Sequence, residues 1–420
     1  NCNGIIIVLL NPFMFLFADK GRKAKKHIQC TDDLRVAGSS LISKDGTKWE
    51  IVNQGANVPG RVGTQNILRE EQGPTPLPKR EIEKGNALSA FRLLIDDFII
   101  KHIQKCTETE ARIKSKNNSW TISFKEIYAT IAIMYGRGLL AKGQSITQLW
   151  STTWGPAFFR NTMSRNRFTE IMKYLRFDMR STRSLRIKTD KFAMVSEIWN
   201  RFIENCVTCY KPGPNITVDE QLFPCKSRCP FTQYIASKPD KFGIKFWLAA
   251  DNKSKYLLNA LPYLGKDDSR PSNQPVAEHV VLSLVKPFVG KGRNVTMDNF
   301  FTSLKLAEKL HAKQTSIVGT LNRIRREVPQ SVKSSKCNRY CTHILRTDKC
   351  TLTVYQSKPN KNVLLLSSMH RSVAVDNQKK RLPETVAYYN NTKYGVDVLD
   401  QMARRYSTKN SSRRWPIQVF

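Results

Sequence analysis

Acidic side chains are scarce in this sequence. Its 420 residues include 34 Asp and Glu against 69 Lys and Arg, which gives a formal net charge of +35 at pH 7. Such an excess of one sign costs self-repulsion unless a polyanion lies against the surface. The imbalance therefore favours nucleic acid as the partner, and a basic surface that serves only solubility is the alternative.

The sequence also lacks a compact cysteine framework. Its ten cysteines are dispersed along a lysine-rich chain, which argues against a small secreted domain held by disulfides and favours reduced thiols. Two groups have spacings that resemble zinc ligands: Cys206, Cys209, Cys225 and Cys229, and then Cys337 and Cys341. Cys206 and Cys209 end a helical pattern, whereas Cys225 and Cys229 follow a strand. We therefore interpret these four residues as buried or free thiols.

No hydrophobic run is long enough to predict a membrane span. The opening segment NCNGIIIVLLNPFMFLF is interrupted by Asn11 and Pro12 and has no basic residues before it. It begins with Asn, so we interpret it as part of a fragment or as a gene-model extension. The following GRKAKKH, from Gly21, is either a basic tail with a nuclear signal or a solvated charge run.

The hydrophobic pattern changes along the chain. Residues 1–59 lack steady periodicity, which predicts a basic and largely disordered segment. Residues 60–214 contain several stretches with helical spacing, such as 86–106, separated by Arg- and Lys-rich segments that suit phosphate contacts. We expect a helical dimerisation and DNA-binding domain there.

From residue 215 the pattern becomes typical of strands. Residues 215–321 read as β-β-β-α-β-α-β, which is the order of an RNase H-like domain with a mixed sheet. Residues 322–383 are predicted to be an insertion, and 384–406 to be the helix that returns to this sheet. Residues 407–420 would begin a second helical DNA-binding segment. The predicted fold class is therefore mixed α/β (α+β).

Four aspartates occupy the positions at which such a sheet would gather its carboxylates. Asp219 lies within the first strand and Asp298 near the end of the fourth, and these strands are neighbours in an RNase H-like sheet. Asp397 and Asp400 are three residues apart and share one face of the late helix. Each could instead be an ordinary surface acid, a turn cap or a favourable charge at a helix start.

Converging carboxylates repel one another unless cations lie between them. Their hard oxygen atoms favour Mg²⁺ or Mn²⁺. Two such ions roughly 4 Å apart could activate an attacking oxygen and stabilise a leaving 3′ oxygen. The expected cofactor is therefore a pair of Mg²⁺ or Mn²⁺ ions in one site.

At these residues the sequence resembles the piggyBac transposase family. The most specific matches, in chain order, are VDEQL, MDNFFTS and GVDVLDQM, with NILREEQGPT, SIVGTLNRIRREVP and SSRRWP as further matches from about residue 64 to the end. The resemblance implies cut-and-paste DNA transposition. Its steps are nicking of double-stranded DNA at transposon ends, hairpin formation and opening, and joining into TTAA sites, carried out by a homodimer in the nucleus without any membrane.

The resemblance also assigns residues. It places the metal ligands at Asp219, Asp298 and Asp397 and a further essential acid at Asp400. Trp415 matches a tryptophan near the active site, where it would stack on DNA or belong to the core. The candidate phosphate contacts are Arg323, Arg325, Arg326, Lys409, Arg413 and Arg414.

The function stays open between three hypotheses. The cysteine-rich C-terminal zinc domain of the family does not occur before Phe420, so the chain is expected to be either an active transposase body or a truncated one without activity. A domesticated, transposon-derived DNA-binding protein without catalysis is the alternative. An RNA-binding or structural protein is a third, which would bind structured RNA as well as duplex DNA at matched salt.

Overall fold

In the computed structural model, the described residues are 40–52, 67–141, 143–266, 270–334, 338–359, 361–378, 380–408 and 412–420. They open with a hairpin of two strands, β1 (Ser40–Ile42) and β2 (Lys48–Val52). For these residues the prediction of disorder was wrong. Trp49 is fully buried, and its indole nitrogen donates a hydrogen bond of 2.9 Å to the carbonyl of Glu327, a partner too distant in sequence for local patterns to indicate.

A helical region follows. Its elements are β3 (Gly73–Pro74), α1 (Pro76–Glu81), α2 (Ala87–Leu94), α3 (Asp97–Ser115), α4 (Phe124–Leu140), α5 (Ile146–Leu149), α6 (Ala157–Thr162), α7 (Arg165–Tyr174), α8 (Arg180–Thr189), α9 (Ser196–Cys209) and β4 (Tyr210–Lys211). Side-chain caps fix the start of several helices, and Ser123 and Glu126 form a capping box at α4. The apolar faces of α3, α4 and α7 share one core.

The central sheet begins at residue 215. Its elements are β5 (Asn215–Pro224), β6 (Thr232–Tyr234), β7 (Phe242–Asp251), β8 (Leu257–Pro262), α10 (Val276–Val285), β9 (Asn294–Met297), α11 (Leu304–His311) and β10 (Ser316–Thr320). Strands β8, β7 and β5 are antiparallel neighbours, whereas β9 and β10 continue from β5 in parallel. This confirms the predicted RNase H-like order, with β6 as a short extra strand at the edge of β7.

The predicted insertion extends the same sheet. It contains α12 (Gln330–Ser334), β11 (Thr342–Arg346), β12 (Thr351–Lys358) and β13 (Lys361–Ser367). Strand β13 pairs with β10, and β2 of the N-terminal hairpin pairs with β11. The described strands therefore include an eleven-stranded sheet that runs from the hairpin to β6.

Two helices return to the sheet where one was predicted. They are α13 (Glu384–Thr392) and α14 (Gly395–Arg405), and α15 (Trp415–Val419) follows. Hydroxyl groups of the sheet hold the break: Thr217 Oγ1 donates to the Thr392 carbonyl and Thr296 Oγ1 to the Thr392 hydroxyl, both at 2.8 Å. A Cβ atom on Gly395 would lie 2.5 Å from Thr217 Oγ1, so this contact requires glycine.

The membrane prediction can be compared only with the described part of the chain. None of the helices there has the length and apolarity needed to cross a bilayer. The apolar opening run and GRKAKKH lie outside the described residues.

Candidate active site

Strand register places Asp219 beside Asp298. The parallel pair β5 and β9 is in register up to Val218 and Met297. Asp219 is the next residue of β5, and Asp298 directly follows the end of β9. Thr217 and Thr296, two residues earlier in each strand, both contact Thr392 below the start of α14. Since side chains alternate along a strand, both carboxylates face the same side of the sheet as α14.

The turn after β9 holds Asp298 in place. Its Oδ1 accepts a hydrogen bond of 2.9 Å from the backbone N–H of Phe300, and its carbonyl accepts one of 2.7 Å from Thr302 Oγ1. Asp219 is held more simply, because its Oδ1 accepts from the N–H of Glu220 at 2.8 Å. Backbone N–H groups therefore orient both carboxylates.

A third acid joins the two aspartates. One carboxylate oxygen each from Asp219, Glu220 and Asp298 lies within 4.8 Å of the others, the one such group of at least three potential ligands found among the described residues. Sequence reasoning missed Glu220, because alternation along β5 directs neighbouring side chains to opposite faces. The available signal was its position next to Asp219 in a chain that is poor in acids.

Burial and mutual repulsion disfavour negative charge in this group. Burial, and then the charge of Glu220, raise the pKa of Asp219 to about 8. Burial also raises the pKa of Asp298, with Glu220 acting in the same direction. A divalent cation between these oxygens would relieve both penalties, and hard carboxylate ligands fit Mg²⁺ or Mn²⁺.

Two lysines accompany the acids. Lys238 Nζ lies 3.6 Å from a Glu220 carboxylate oxygen. Lys245, on β7, is half-buried, and burial lowers the pKa of its ammonium group although Glu220, Asp298 and Asp219 oppose that shift. Cations at the rim of an acidic site are suited to hold a phosphate close to it.

The late helix contributes less directly than predicted. Asp397, in the first turn of α14, is exposed and lies outside the group of three, although its charge contributes to raising the pKa of Asp219. Asp400 is already paired: Oδ1 accepts from Gln221 at 2.8 Å and Oδ2 from Arg404 at 2.9 Å. The structure therefore brings Asp219 and Asp298 together. On α14, Asp397 lies outside their group and Asp400 is bonded to other side chains.

The predicted arginines after β10 differ in their surroundings. Arg323 and Arg326 are exposed. Arg325 is half-buried, and its guanidinium donates to the carbonyl of Phe300 at 3.1 Å, which joins this loop to the turn that carries Asp298. Two of the three are thus free to meet phosphate, and the third supports the site.

The predicted C-terminal contacts also differ in their surroundings. Arg413 is exposed, and Lys409 lies outside the described residues. Arg414 donates to the carbonyls of Leu175, at 2.9 Å, and Met172, and so closes the C-terminal end of α7. Arg414 stays a predicted phosphate contact, although its two terminal nitrogens already donate to these backbone carbonyls.

Trp415 belongs to the core, which is the second of its two predicted roles. It is 6% exposed and stacks on Phe192 with ring centroids 5.6 Å apart, while Phe231 meets it edge-on at 5.1 Å. A base could stack on this indole only if the surrounding core opened.

The cysteines do not gather as zinc ligands in the described part of the chain. Cys206, Cys209, Cys225 and Cys229 are free thiols there. Burial raises the pKa of Cys206 to about 12, so it remains protonated and a poor metal ligand. This agrees with the interpretation of these four residues as buried or free thiols. Cys341 is disulfide-bonded, so the expectation of reduced thiols is wrong for that residue.

Fold and site together define a class of protein. Three antiparallel strands are followed by two parallel ones, with one acid within the first main strand and another directly after the fourth. They form an RNase H-like domain with a carboxylate centre. A helical region precedes this domain and further strands extend it, which is the arrangement of a DDE-type transposase.

Sequence comparison identifies the family. A profile described as Transposase IS4 matches residues 86–420, and the chain belongs to this family, among its piggyBac-type transposases. Human piggyBac transposable element-derived protein 3 is 23% identical over 345 residues, covering 77% of this chain and 57% of that protein. Human piggyBac transposable element-derived protein 2 is 22% identical over 388 residues, covering 85% and 63%. The chain therefore spans about three fifths of the length of these relatives.

A solved structure supports the same family. The cryo-EM structure of the piggyBac transposase synaptic complex with hairpin DNA is 35% identical to this chain, with a TM-score of 0.77. The match covers 83% of this chain and 74% of that chain. Fold, profile and relatives thus agree on a piggyBac-like transposase domain.

Proposed function

We propose that this chain is the catalytic body of a DNA transposase that cleaves and joins DNA strands at the acidic site. One observation carries the proposal: Asp219 and Asp298 follow the last paired residues of two parallel strands, and their oxygens lie within 4.8 Å of each other and of Glu220. Such a cluster is costly without cations and suits Mg²⁺ or Mn²⁺.

The proposed ligands are Asp219, Asp298 and Asp397, with Glu220 beside them. Two bound Mg²⁺ or Mn²⁺ ions would supply activation of the attacking oxygen and stabilisation of the leaving 3′ oxygen. The chain itself positions the groups. Because Asp219 holds its proton up to about pH 8, ion binding must displace that proton.

Asp400 is proposed to act through its neighbours. Its hydrogen bond to Gln221 ties α14 to β5, whereas its ion pair with Arg404 lies within α14. Arg404 in turn donates to the carbonyl of Leu222 on β5 at 3.3 Å and pairs with Asp240 at 2.5 Å. These contacts would keep the start of α14, with Asp397, over the two strand aspartates. Asp400 is therefore a positioning residue in this proposal.

The proposed substrate is double-stranded DNA. The solved relative is a complex with hairpin DNA, and the net charge of +35 suits a polyanion. We extend the proposal to transposon ends, hairpin formation and opening, insertion at TTAA sites, a homodimeric assembly and action in the nucleus. The exposed Arg323, Arg326 and Arg413 are the proposed phosphate contacts.

Substitution of the strand aspartates tests the proposal. In Asp219→Asn and Asp298→Asn, we expect opening of a hairpin DNA in Mg²⁺ or Mn²⁺ to be lost, while DNA affinity at matched salt changes little. Asp97→Asn, an exposed aspartate of α3, is the control and should behave as wild type. Equal loss of cleavage and binding would instead assign the strand aspartates a folding role.

A second candidate is a DNA-binding protein without catalysis. The observation that favours it is the state of α14, where Arg404 neutralises Asp400 and Asp397 lies outside the group of three. Two results together would support this candidate. The wild-type protein would bind hairpin DNA without opening it in Mn²⁺, and Arg404→Ala, which releases Asp400, would not open it either.

A further inference from the structure

Phe300 is an exposed aromatic residue in the turn that carries Asp298. It is 44% exposed, whereas its neighbour Phe301 is 1% exposed. Its backbone is held at both ends, because its N–H donates to Asp298 Oδ1 at 2.9 Å and its carbonyl accepts from Arg325 at 3.1 Å. The ring therefore has a fixed place beside the acidic site.

A second aromatic ring and a cation support Phe300. Its ring stacks on that of Trp247 with centroids 5.4 Å apart and planes 15° apart, and Phe301 meets it edge-on. Lys245 Nζ lies 3.8 Å from the Trp247 centroid and 5.4 Å from that of Phe300. Trp247 is buried, so the exposed surface of this stack is the ring of Phe300.

We propose that Phe300 is a stacking platform for the nucleobase next to the reacting phosphate, after that base has left the duplex. Every base has a flat π-face, so stacking on an aromatic ring tolerates any sequence. The ammonium group of Lys245 would accompany the adjoining phosphate. This inference rests on the proposed function, since the acidic site fixes where the reacting phosphate lies.

The proposed occupant is an unpaired nucleotide at a DNA end. A base inside a duplex already stacks on its neighbours and would gain little from a further ring, whereas an unpaired base has a free face. Trp415 cannot serve this purpose in the described arrangement, because it is enclosed by Phe192 and Phe231.

A fluorescence titration of the full chain tests the platform. The probe is a DNA duplex with one unpaired terminal 2-aminopurine, in Ca²⁺ and at fixed salt, and a blunt duplex serves as reference. Phe300→Ala should bind the unpaired-end DNA roughly 5- to 100-fold more weakly and lose the quenching of 2-aminopurine. Its affinity for the blunt duplex should change by less than about twofold.

Two further substitutions separate stacking from simple burial of apolar surface. Phe300→Trp retains an aromatic face and should keep both quenching and affinity, whereas Phe300→Leu should lose the quenching. The matched control is Phe98→Ala in the helical region, since Phe98 is 48% exposed and also has a guanidinium over its ring, that of Arg201 at 5.8 Å. It should behave as wild type.

Several results would overturn the platform. They are wild-type quenching in Phe300→Leu, unchanged affinity in Phe300→Ala with a native circular dichroism spectrum, or equal losses on both DNAs. The Asp219→Asn variant should still quench. A wild-type chain that quenches but never cleaves in Mg²⁺ or Mn²⁺ would overturn the proposed function and leave the platform standing.

Discussion

The carboxyl group of Asp219 combines burial with close acidic neighbours, and its protonation links metal binding to pH. Burial and Glu220 raise its pKa to about 8, and burial raises the pKa of Asp298 as well. A carboxylate ligates a cation only in its ionised form, so binding at neutral pH releases a proton. Acidification should therefore begin to weaken metal binding at a pH well above the range in which an ordinary aspartate is protonated.

Calorimetric titration of the metal-free protein with Mn²⁺ measures this linkage. Affinity should rise with pH by up to about tenfold per unit between pH 6 and 8, and level off above pH 8. Asp219→Asn should bind weakly at every pH. Affinity that stays constant from pH 6 to 8.5 in the wild type would show that Asp219 is ionised in the free protein.

The same group should make the metal-free protein less stable as pH rises. Folded Asp219 keeps its proton up to about pH 8, whereas an unfolded aspartate loses it near about pH 3.9. Between these values the folded state binds more protons, so the free energy of unfolding falls with increasing pH. Asp219→Asn removes this loss of stability, because asparagine does not ionise.

Thermal unfolding in EDTA checks that sign. Relative to wild type, Asp219→Asn should gain nothing near pH 4 and about 1–3 kcal/mol by pH 8, after allowance for solvent screening. Asp97→Asn, which is exposed, should show no such trend. A stability difference that is constant across this pH range would contradict the raised pKa.

At the residue scale, sequence could identify Asp219 and Asp298 because strand position and register are local and repetitive properties. It could not identify Glu220 as a member of the group, or the pairing of Asp400 with Arg404. Both depend on how side chains settle after α14 packs on β5, and alternation along a strand predicts the opposite side for Glu220.

At the scale of elements, the junction of α13 and α14 determines where the late helix meets the sheet. Thr217 and Thr296 hold Thr392 through their hydroxyl groups, and Gly395 then passes closely over Thr217. Because Asp397 lies in the first turn of α14, a small shift of this junction displaces it relative to Asp219.

Gly395→Ala should disturb this junction. The new Cβ would lie 2.5 Å from Thr217 Oγ1, so α14 must move, at a cost of about 1–3 kcal/mol in stability. DNA cleavage should fall more than DNA binding. Thr217→Ala removes the Oγ1 contact but keeps its own Cβ 2.8 Å from the new methyl group, so the double variant should recover only part of the loss. Purely additive effects in this cycle would refute the Oγ1 contact.

Element order was largely predictable, and the exceptions share one cause. Strands β5, β7, β8, β9 and β10 are long or apolar enough for their local patterns to show. The hairpin of β1 and β2 was missed because its stability comes from Glu327 and β11, almost 300 residues away. The break before Gly395 was missed although Asn391 and Gly395 favour a helix end, and the contacts of Thr392 with the sheet could not be seen in the local sequence.

At the scale of the whole molecule, the charge of +35 should make DNA binding strongly dependent on salt. The exposed Arg323 and Arg326 should contribute to this salt dependence, whereas Arg414 should not. Arg323→Ala and Arg326→Ala should each weaken binding to any sequence and reduce the slope of log K against log salt by about 1. Arg414→Ala should lower the thermal stability and leave that slope unchanged.

Fluorescence anisotropy with one duplex at several salt concentrations, together with a thermal melt, distinguishes these effects. Asp97→Asn serves as a charge-altering control outside the proposed contacts. An unchanged salt slope for Arg323→Ala and Arg326→Ala would move the DNA-binding surface elsewhere, whereas a reduced slope for Arg414→Ala would show that its guanidinium reaches phosphate.

The hairpin of residues 40–52 also protects the molecule from self-association through an edge of its sheet. By pairing with β11, β2 covers backbone donors and acceptors along much of one edge of an eleven-stranded sheet, and β1 leaves only three residues at that edge. An open edge is a template for another chain. A version that starts after residue 52 would present the bare backbone of β11 to its neighbours, and self-association through that strand would follow.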